Sequence, residues 1–382
     1  MIDRPVYMDA IFSGLEYSPV VALLGPRQCG KTTLARIIER EQNAEYFDLE
    51  DPADFARLEN PMIALEHLTG LVIIDEIQRR SELFQILRVL ADRNKGEANY
   101  LILGSASPHI VKDVSESLAG RVAFIEMDGF DIGEIGAENF RKLWQRGGFP
   151  DSYLAKNITV SLRWRNDFIK TFLERDIPQL GISIPAPTLR RFWTMIAHFH
   201  GQVWNAAEFA RSLGRSEGTA RRYLDILTGA YMVRQLPPWY ENMKKRQVKS
   251  PKIYIRDSGL LHALLTLDSE KSLFQHPKFG ASWEGFALEQ VLKITGVQDV
   301  YFWGTHAGAE LDLLVIKGGK RTGFEFKCED APRMTKSIHI AMHDLNLDRV
   351  FIVNPGRKTY PVGPNTQVVS TGNLNKVIKA IM

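Results

Sequence analysis

The sequence GPRQCGKT at positions 25–32 decides the fold of the first third of the chain. It follows the apolar run VVALL (20–24) and precedes TLARIIEREQ (33–42), which has the spacing of a helix. Strand, glycine-containing loop and helix in this order predict a phosphate-binding loop, because glycines let backbone N–H groups turn toward phosphate oxygens at a helix N-terminus. We therefore predict a parallel α/β sheet that binds a nucleoside triphosphate.

The side chains of this loop match the charges of ATP and Mg²⁺, which are the cofactors that we expect. Lys31 is predicted to reach the β and γ phosphates, and the hydroxyl of Thr32 is predicted to bind Mg²⁺. The predicted nucleotide contacts of the loop are Gly25, Pro26, Arg27, Gln28, Cys29, Gly30, Lys31, Thr32 and Thr33.

A second motif lies about 45 residues further on, at the spacing that a parallel sheet requires. There the apolar run LVII (71–74) ends in Asp75 and Glu76. Such a run is typical of a buried parallel strand that carries acids to its carboxyl end. Asp75 is predicted to bind Mg²⁺ indirectly, through water or through another ligand of the ion, and Glu76 to polarise the water that attacks the γ-phosphate. A simple loop cap is the alternative, which the spacing disfavours.

Two further polar residues follow the next apolar runs. Ser105 comes after YLIL (100–103), where it can sense the γ-phosphate or serve only as a turn residue. Arg121 ends SLAGR (117–121), just before another apolar run. It is predicted either to stabilise the transferring phosphoryl group, in its own subunit or a neighbour's, or to form a structural salt bridge.

Composition limits the class of protein without deciding its partners. With 382 residues, 45% of them hydrophobic, the chain can form two or three cores, and its net charge of +3 is compatible with a polyanion without indicating one. The two cysteines, Cys29 and Cys328, form no disulfide-like framework, so we expect a reducing cytoplasm. The N-terminus has no signal-like pattern and the apolar runs are short, so no membrane is expected as a partner.

A series of motifs resembles the bacterial and archaeal AAA-superfamily ATPases that carry a C-terminal conserved domain of unknown function. The resemblance extends over essentially the whole chain and rests on GPRQCGKT, LVIIDEIQ, LILGSAS, SLAGR, GGFPD (147–151) and FLERDI (172–177). It implies an AAA-type ATPase, and it makes Arg175 a second candidate for an arginine that acts on the site of a neighbouring subunit.

The middle of the chain has the pattern of a winged helix-turn-helix. Two helical segments are joined at Gly214, with Asn205 and Ser216 as their N-caps, and the strand-like YMVRQL (231–236) follows. In the second helix, four residues are predicted to face inward: Ala220, Tyr223, Leu224 and Leu227. The residues left to face outward are Glu217, Thr219, Arg221 and Arg222, of which the last three are predicted to contact DNA.

A basic cluster beyond this pattern extends the predicted DNA track. It comprises Lys244, Lys245, Arg246, Lys249 and Lys252. A solvated loop explains such a cluster equally well, and a winged helix can also serve only to pack domains or to bind protein. DNA and a protein partner therefore both remain open.

The last third resembles the PD-(D/E)XK nuclease fold. A helix (281–295) carries Glu284 and Glu289, one strand carries Glu310 and Asp312 on one face, and the next strand carries Glu325 and Lys327. The resemblance implies Mg²⁺ ligands at Asp312 and Glu325 with Glu284 assisting. It also implies that Lys327 orients the attacking water, with Glu310 as a further ligand or a brace. Active phosphodiester cleavage and a DNA-gripping or regulatory use of the fold both remain open.

We thus expect four regions: an AAA-type ATPase core (1–136), a helical lid or linker (137–187), a winged helix (188–247) and a nuclease-like domain (248–382). The favoured function is an ATPase that couples its nucleotide state to DNA binding or processing, possible metal-dependent cleavage included. The alternative is a nucleotide-gated switch that acts on a protein partner with a non-catalytic nuclease-like domain. The hypothesis of a small-molecule kinase is weak, since the sequence shows no acceptor-binding lid. Whether the chain forms a homo-oligomer stays open.

Overall fold

The computed structural model describes residues 2–93, 97–105, 108–240 and 248–380, and for residues 108–112 the backbone only. The chain divides into two units, one of residues 1–129 with 229–231 and one of residues 130–228 with 232–382. Of the four predicted regions, the last three therefore lie mostly within the second unit. No helix among the described residues combines the length and the apolar character that crossing a membrane requires.

A five-stranded parallel sheet in the order β2-β3-β4-β1-β5 organises the first unit. Its strands are β1 Val20–Gly25, β2 Glu45–Asp48, β3 Gly70–Asp75, β4 Ala98–Ser105 and β5 Val122–Glu126. Its helices are α1 Pro5–Tyr17, α2 Lys31–Gln42, α3 Pro52–Arg57, α4 Pro61–Leu65, α5 Leu83–Arg93 and α6 Pro108–Ser117, with a 3₁₀ turn at Ile77–Arg79. The predicted order of strand, loop and helix around residues 25–32 is confirmed.

Each face of this sheet packs into its own apolar core. Val20, Ala22 and Leu24 of β1 belong to one core, whereas Val21 and Leu23 belong to the other. Because both faces are covered, the strands read as continuous apolar runs, as expected for a parallel sheet. The carboxyl ends of β1, β3 and β4 then meet at one edge, where their following residues form a site.

The second unit starts with helices and a small three-stranded antiparallel sheet in the order β6-β8-β7. The strands are β6 Gln202–Val203, β7 Val233–Leu236 and β8 Lys252–Ile255. The helices up to β7 are α7 Ile132–Ile135, α8 Phe140–Arg146, α9 Pro150–Tyr153, α10 Ile158–Thr171, α11 Ile177–Gln179, α12 Ala186–His198, α13 Ala206–Leu213 and α14 Glu217–Gly229. A π-helical segment, Phe172–Asp176, joins α10 to α11.

The two helices α13 and α14 follow the predicted pattern. Asn205 accepts a hydrogen bond from the Glu208 N–H, and Ser216 accepts one from the Thr219 N–H at 3.2 Å. Gly214 ends α13 in the left-handed conformation with φ of 64°. The four α14 side chains predicted to face inward are all buried. Strand β8, however, lies beyond residue 247, so the boundary that we placed there falls between two strands of one sheet.

A six-stranded mixed sheet in the order β13-β14-β12-β11-β10-β9 forms the rest of the second unit. Its strands are β9 Val300–Gly304, β10 Glu310–Lys317, β11 Lys320–Phe326, β12 Arg349–Asn354, β13 Tyr360–Gly363 and β14 Thr366–Ser370. The helices after β8 are α15 Ser258–Leu264, α16 Glu270–Phe274, α17 Phe279–Thr295, α18 Lys336–Asp344 and α19 Leu374–Lys379. Pairs β11·β12 and β12·β14 are parallel and the others are antiparallel.

Candidate functional sites

The loop after β1 is shaped so tightly that only glycine fits at its first position. A Cβ atom on Gly25 would lie 2.0 Å from the Met127 carbonyl oxygen, which is a severe clash. Gln28 and Gly30 both adopt positive φ, 61° and 104°, and Gly30 is the N-cap of α2. These angles turn the loop backbone around the start of the helix, where N–H groups without helical partners favour an anion.

Lys31, the first residue of α2, is held at this loop. Its buried ammonium group donates hydrogen bonds to the carbonyl oxygens of Gly25 and Pro26, at 3.0 and 2.8 Å. The position agrees with the predicted role, because the positive charge lies beside the backbone that would enclose the phosphates.

Asp75, at the end of β3, is the centre of a hydrogen-bonded group. Its Oδ2 accepts from the Thr32 hydroxyl at 2.7 Å and from the Tyr46 hydroxyl at 2.8 Å. Thr32 and Asp75 are hard oxygen ligands that lie side by side next to the loop, so this pair fits a Mg²⁺ ion. Tyr46, on β2, was not predicted, and only its place beside β3 in the sheet brings it to Asp75.

Glu76 follows Asp75 in a left-handed conformation with φ of 55°, a strained backbone for a non-glycine residue. Its N–H donates to Asp75 Oδ1 at 2.8 Å, and its carboxylate accepts from the Gln78 amide. Burial, followed by the nearby Asp75 carboxylate, raises the pKa of Glu76 above its usual value. A carboxylate with a raised pKa is a better proton acceptor, as the predicted role requires.

Ser105, the last residue of β4, pairs in register with Gly25. Its hydroxyl is buried and has no hydrogen-bond partner within the described residues, and the same holds for the Oε1 atom of Gln78. Two such polar atoms at the strand ends favour the phosphate-sensing interpretation of Ser105 over a simple turn, because buried polar groups are normally paired.

Arg4 is a contributor to this site that the sequence analysis missed. This buried side chain donates to the carbonyl oxygens of Cys29 at 3.0 Å and of Asp128 at 2.9 Å. Cys29 in turn donates its thiol to the Met127 carbonyl at 3.3 Å. The phosphate loop is thus tied to the segment after β5. No motif marks Arg4, because its partners are backbone atoms far away in sequence.

The structure corrects the prediction that Arg121 stabilises the phosphoryl group in its own subunit. This residue precedes β5 at the amino end of the strands, whereas the phosphate loop follows their carboxyl ends. It therefore cannot reach the phosphates of its own chain, and its guanidinium instead pairs with Asp92 at 2.6 and 3.0 Å. A role in a neighbouring subunit stays a prediction for Arg121. It also stays one for Arg175, which is exposed within the π-helical segment.

The outward face of α14 carries the predicted DNA contacts. Arg221 and Arg222 are exposed, and Arg221 lies 3.9 Å from Glu217 on the same face. Thr219 bonds to the Ser216 hydroxyl at 3.0 Å, so its side chain serves the helix cap. Lys244, Lys245 and Arg246 lie outside the described residues.

Lys252 corrects the predicted basic track. Its side chain is only 4% exposed and points away from solvent, into a set of acids. Its ammonium group is 3.2 Å from Glu284 Oε1 and 3.6 Å from Asp312 Oδ1, and it also contacts Glu310. Lys252 therefore belongs neither to a DNA track nor to a solvated loop. It lies two positions from Tyr254 on β8, so the two side chains share a face of the strand.

We call Glu284, Glu310, Asp312 and Glu325 the carboxylate cluster. Glu284 Oε1 accepts from the Tyr254 hydroxyl at 2.6 Å, and Asp312 Oδ2 accepts from the Phe326 N–H at 2.9 Å. Glu325 lies 2.8 Å from the Lys327 ammonium, as the Glu-x-Lys pattern predicts. The structure therefore brings together α17, β10 and β11, as expected, and adds β8.

The electrostatics of the cluster follow from its burial. Burial, and next the Asp312 charge, raise the pKa of Glu325 to about 7, and burial also raises the pKa of Glu284. Burial opposes the charge of Lys252, but Tyr254 and the acids outweigh it and raise its pKa. Two lysines thus offset part of the negative charge of the four acids.

The predicted metal site does not fit this arrangement well. Among the described residues, no three His, Cys, Asp or Glu side chains are placed to hold a metal ion together. Of the predicted ligands, Glu284 and Asp312 instead face Lys252, and Glu325 faces Lys327. The Mg²⁺ role of these three residues stays a prediction that the geometry does not support.

Three family models match consecutive parts of the chain. Residues 17–136 match the model described as AAA domain. Residues 137–271 and 279–374 match two models described as domains of unknown function, DUF8612 and DUF4143. The first unit is accordingly an AAA-type P-loop ATPase domain with a parallel α/β sheet.

Two curated proteins are similar over almost the whole chain. They are the uncharacterized protein Rv2008c of Mycobacterium tuberculosis and the uncharacterized protein Mb2031c of Mycobacterium bovis. Each is 49% identical to this chain over 384 residues, a match that covers 99% of this chain and 87% of the relative.

Solved structures resemble the chain more distantly. The Walker-type ATPase paby2304 of Pyrococcus abyssi has a TM-score of 0.47 and 15% identity, over 69% of this chain and 96% of its own. The Thermotoga maritima RuvB Holliday junction branch migration motor has a TM-score of 0.30 and 20% identity, over 62% and 90%. Similarity at this level does not establish a shared function.

Proposed function

The chain belongs to the same family as the mycobacterial proteins Rv2008c and Mb2031c, and from this premise we propose that it hydrolyses ATP and couples its nucleotide state to DNA held by its second unit. The observation that carries the ATPase part is the Thr32 hydroxyl 2.7 Å from Asp75, with Glu76 next in the chain. These groups lie beside a loop that backbone geometry and Lys31 suit to phosphates.

The roles of the chain's own residues follow from their chemistry. On nucleotide binding Lys31 would exchange its two carbonyl partners for phosphate oxygens, and Thr32 and Asp75 would hold the Mg²⁺ ion, which would neutralise phosphate charge. Glu76 accepts a proton from the attacking water, for which its raised pKa suits it. Ser105 is predicted to donate its unpaired hydroxyl to the γ-phosphate.

Two substitutions test nucleotide binding and hydrolysis separately. Lys31→Ala is expected to abolish nucleotide binding, whereas Glu76→Gln keeps binding and lowers the hydrolysis rate by about 100-fold or more. Binding is measured with a fluorescent ATP analogue and hydrolysis by phosphate release. If Lys31→Ala leaves both unchanged, the proposal is wrong.

DNA binding is supported by the α14 face and by the sheet behind it. The sheet β6-β8-β7 contacts α12, and Phe192 of α12 packs against Phe209 of α13 and Tyr223 of α14, an arrangement that agrees with a winged helix. Arg221 and Arg222 are exposed on α14. Exposed arginines at such a helix reach phosphates or a groove edge.

The DNA proposal is tested with labelled linear, forked and four-way DNA over a range of salt concentrations. Arg222→Ala is expected to weaken binding to each DNA similarly and to lower the salt slope by about 1. Arg163→Ala, on α10, removes the same charge from another exposed helix and serves as the control. Absence of binding to all three DNAs at low salt contradicts the proposal.

A second candidate is a nucleotide-gated switch that acts on a protein partner, with the nuclease-like region non-catalytic. One observation favours it over a cutting enzyme, namely that Lys252 engages two acids on which cleavage would depend. Incubation of the DNAs with Mg²⁺ or Mn²⁺ distinguishes the two. Cleavage that Asp312→Ala removes identifies a nuclease, whereas a specific protein partner without DNA binding identifies the switch.

A further inference from the structure

The ammonium group of Lys252 lies within the carboxylate cluster rather than at its rim. It contacts Glu284 on α17 and Glu310 on β10, and it is 3.6 Å from Asp312 on β10. With 4% exposure it is shielded from solvent on nearly all sides. Three acids from two elements thus converge on one positive charge that a third element, β8, supplies.

Two carboxylate oxygens of the cluster also accept hydrogen bonds from donors other than Lys252. Glu284 Oε1 accepts from both Lys252 and the Tyr254 hydroxyl, and Asp312 Oδ2 accepts from the Phe326 N–H. A Mg²⁺ or Mn²⁺ ion would need carboxylate oxygens at about 2.0–2.2 Å, in competition with these donors. It would also bring two positive charges next to an ammonium group that is itself shielded from solvent.

We propose that Lys252 is the built-in counter-cation of the carboxylate cluster, in the place between Glu284 and Asp312 that a divalent metal ion would take. The cluster of the native chain therefore holds no divalent ion, and removal of the lysine opens a divalent-metal site. This inference is independent of ATP hydrolysis in the first unit, since every residue on which it rests lies in the second.

The remaining pair of the cluster agrees with this assignment. Glu325 pairs with its own lysine, Lys327, at 2.8 Å, so two ammonium groups serve the buried acids Asp312 and Glu325 and the partly exposed Glu284. Lys252 also has a structural role, because it joins β8 of the three-stranded sheet to α17 and to β10 of the six-stranded sheet.

The test measures Mn²⁺ binding to the full chain without nucleotide, by electron paramagnetic resonance of the free ion. Wild type and Asp312→Asn are expected to bind the same number of Mn²⁺ ions, with the same affinity. Lys252→Met is expected to bind one more ion per chain, and Lys252→Met combined with Asp312→Asn to lose it again. Comparison with Asp312→Asn separates this cluster from any ion at Thr32 and Asp75.

Lys249→Met is the matched control, since it removes an exposed lysine three positions away and should gain no ion. Two results overturn the proposal: an ion bound by wild type that Asp312→Asn loses, or a folded Lys252→Met that gains none. If Lys252→Met does not fold, the comparison of wild type with Asp312→Asn decides alone. Equal binding then supports the proposal and unequal binding contradicts it.

Discussion

Single side chains at the ATP site depend on one another through Asp75. Both of its oxygens accept hydrogen bonds, from Thr32 and Tyr46 on one and from the Glu76 N–H on the other. Arg36 lies 3.5 Å over the Tyr46 ring and holds this ring in place. The orientation of the carboxylate is therefore set by a tyrosine outside every motif.

Replacement of Tyr46 by Phe is expected to raise the Mg²⁺ concentration for half-maximal ATPase activity by about 10-fold or more, with little change in kcat at saturating Mg²⁺. The reason is that Asp75 loses one of the donors that orient it, worth about 1.5–3 kcal/mol when the acceptor is charged. Tyr100→Phe is the control, because the buried Tyr100 hydroxyl has no partner within the described residues. An equal effect of both substitutions would contradict the role of Tyr46.

Glu325 predicts a pH dependence of the stability of the second unit. Its pKa of about 7 is above the usual value, so the folded state binds a proton more tightly than the unfolded state. Its contribution to the free energy of unfolding is therefore fully present below the usual carboxyl pKa. It is lost as pH rises through 7, by on the order of 2–3 kcal/mol.

Glu325→Gln removes this dependence, since an amide does not titrate. The wild-type chain is expected to lose more stability than Glu325→Gln between pH 5 and pH 8, measured by thermal unfolding of the second unit. Parallel pH profiles for the two proteins would show that the Glu325 carboxyl is ionised already at pH 5.

At the scale of elements, a buried ion pair joins β7 to α17. Arg234 donates to both oxygens of Glu289, which is 2% exposed, and Arg256 lies 3.7 Å from the same carboxylate. This link connects the three-stranded sheet with the long helix beside the six-stranded sheet. Glu289 is thus a structural residue, although on the helix pattern it looked similar to Glu284.

Glu289→Gln is expected to destabilise the second unit by about 2–4 kcal/mol, because it removes the buried carboxylate that compensates two partly buried arginines. Glu217→Gln, which removes one partner of the exposed pair with Arg221, is the control and should change stability by at most about 1 kcal/mol. Urea unfolding followed by tryptophan fluorescence measures both. A small effect at Glu289 would mean that water replaces the lost charge.

At the scale of the whole molecule, the chain consists of an ATPase unit and a larger unit. The larger unit has two parts, one around the three-stranded sheet and one around the six-stranded sheet. The links between these parts include the side chains of Arg234, Lys252 and Glu289 and a hydrogen bond from the Trp239 N–H to the Phe302 carbonyl oxygen. We therefore expect that a response to ATP involves the second unit as one piece rather than its two sheets separately.

Subunit mixing tests whether Arg175 acts on a neighbouring chain. Arg175→Ala and Lys31→Ala are each expected to lack ATPase activity, the first for want of the arginine and the second for want of the phosphate contact. A mixture of the two is expected to regain activity, because a mixed assembly has one intact loop facing one intact arginine. No recovery, together with a monomeric mass in solution, would exclude this role.

The AAA core was predictable because its signals are local. A loop such as 25–32 needs its own glycines and lysine, and a buried parallel strand shows as an apolar run ended by acids. The outward and inward faces of α14 were predictable for the same reason, since helical period and cap residues lie within a few positions. Arg121 shows the limit of local signals, because only strand direction reveals that it lies at the opposite edge of the sheet.

The sequence by itself determined the ATPase domain, its phosphate loop and the acids after β3, since each depends on residue types at short spacing. Only the tertiary structure decided the environment of Arg4, Tyr46 and Lys252, each of which meets partners that are distant in sequence. The sequence shows whether a side chain is charged, but it does not show its partner. Which opposite charge it meets depends on how sheets and helices pack, and burial then makes that pairing obligatory.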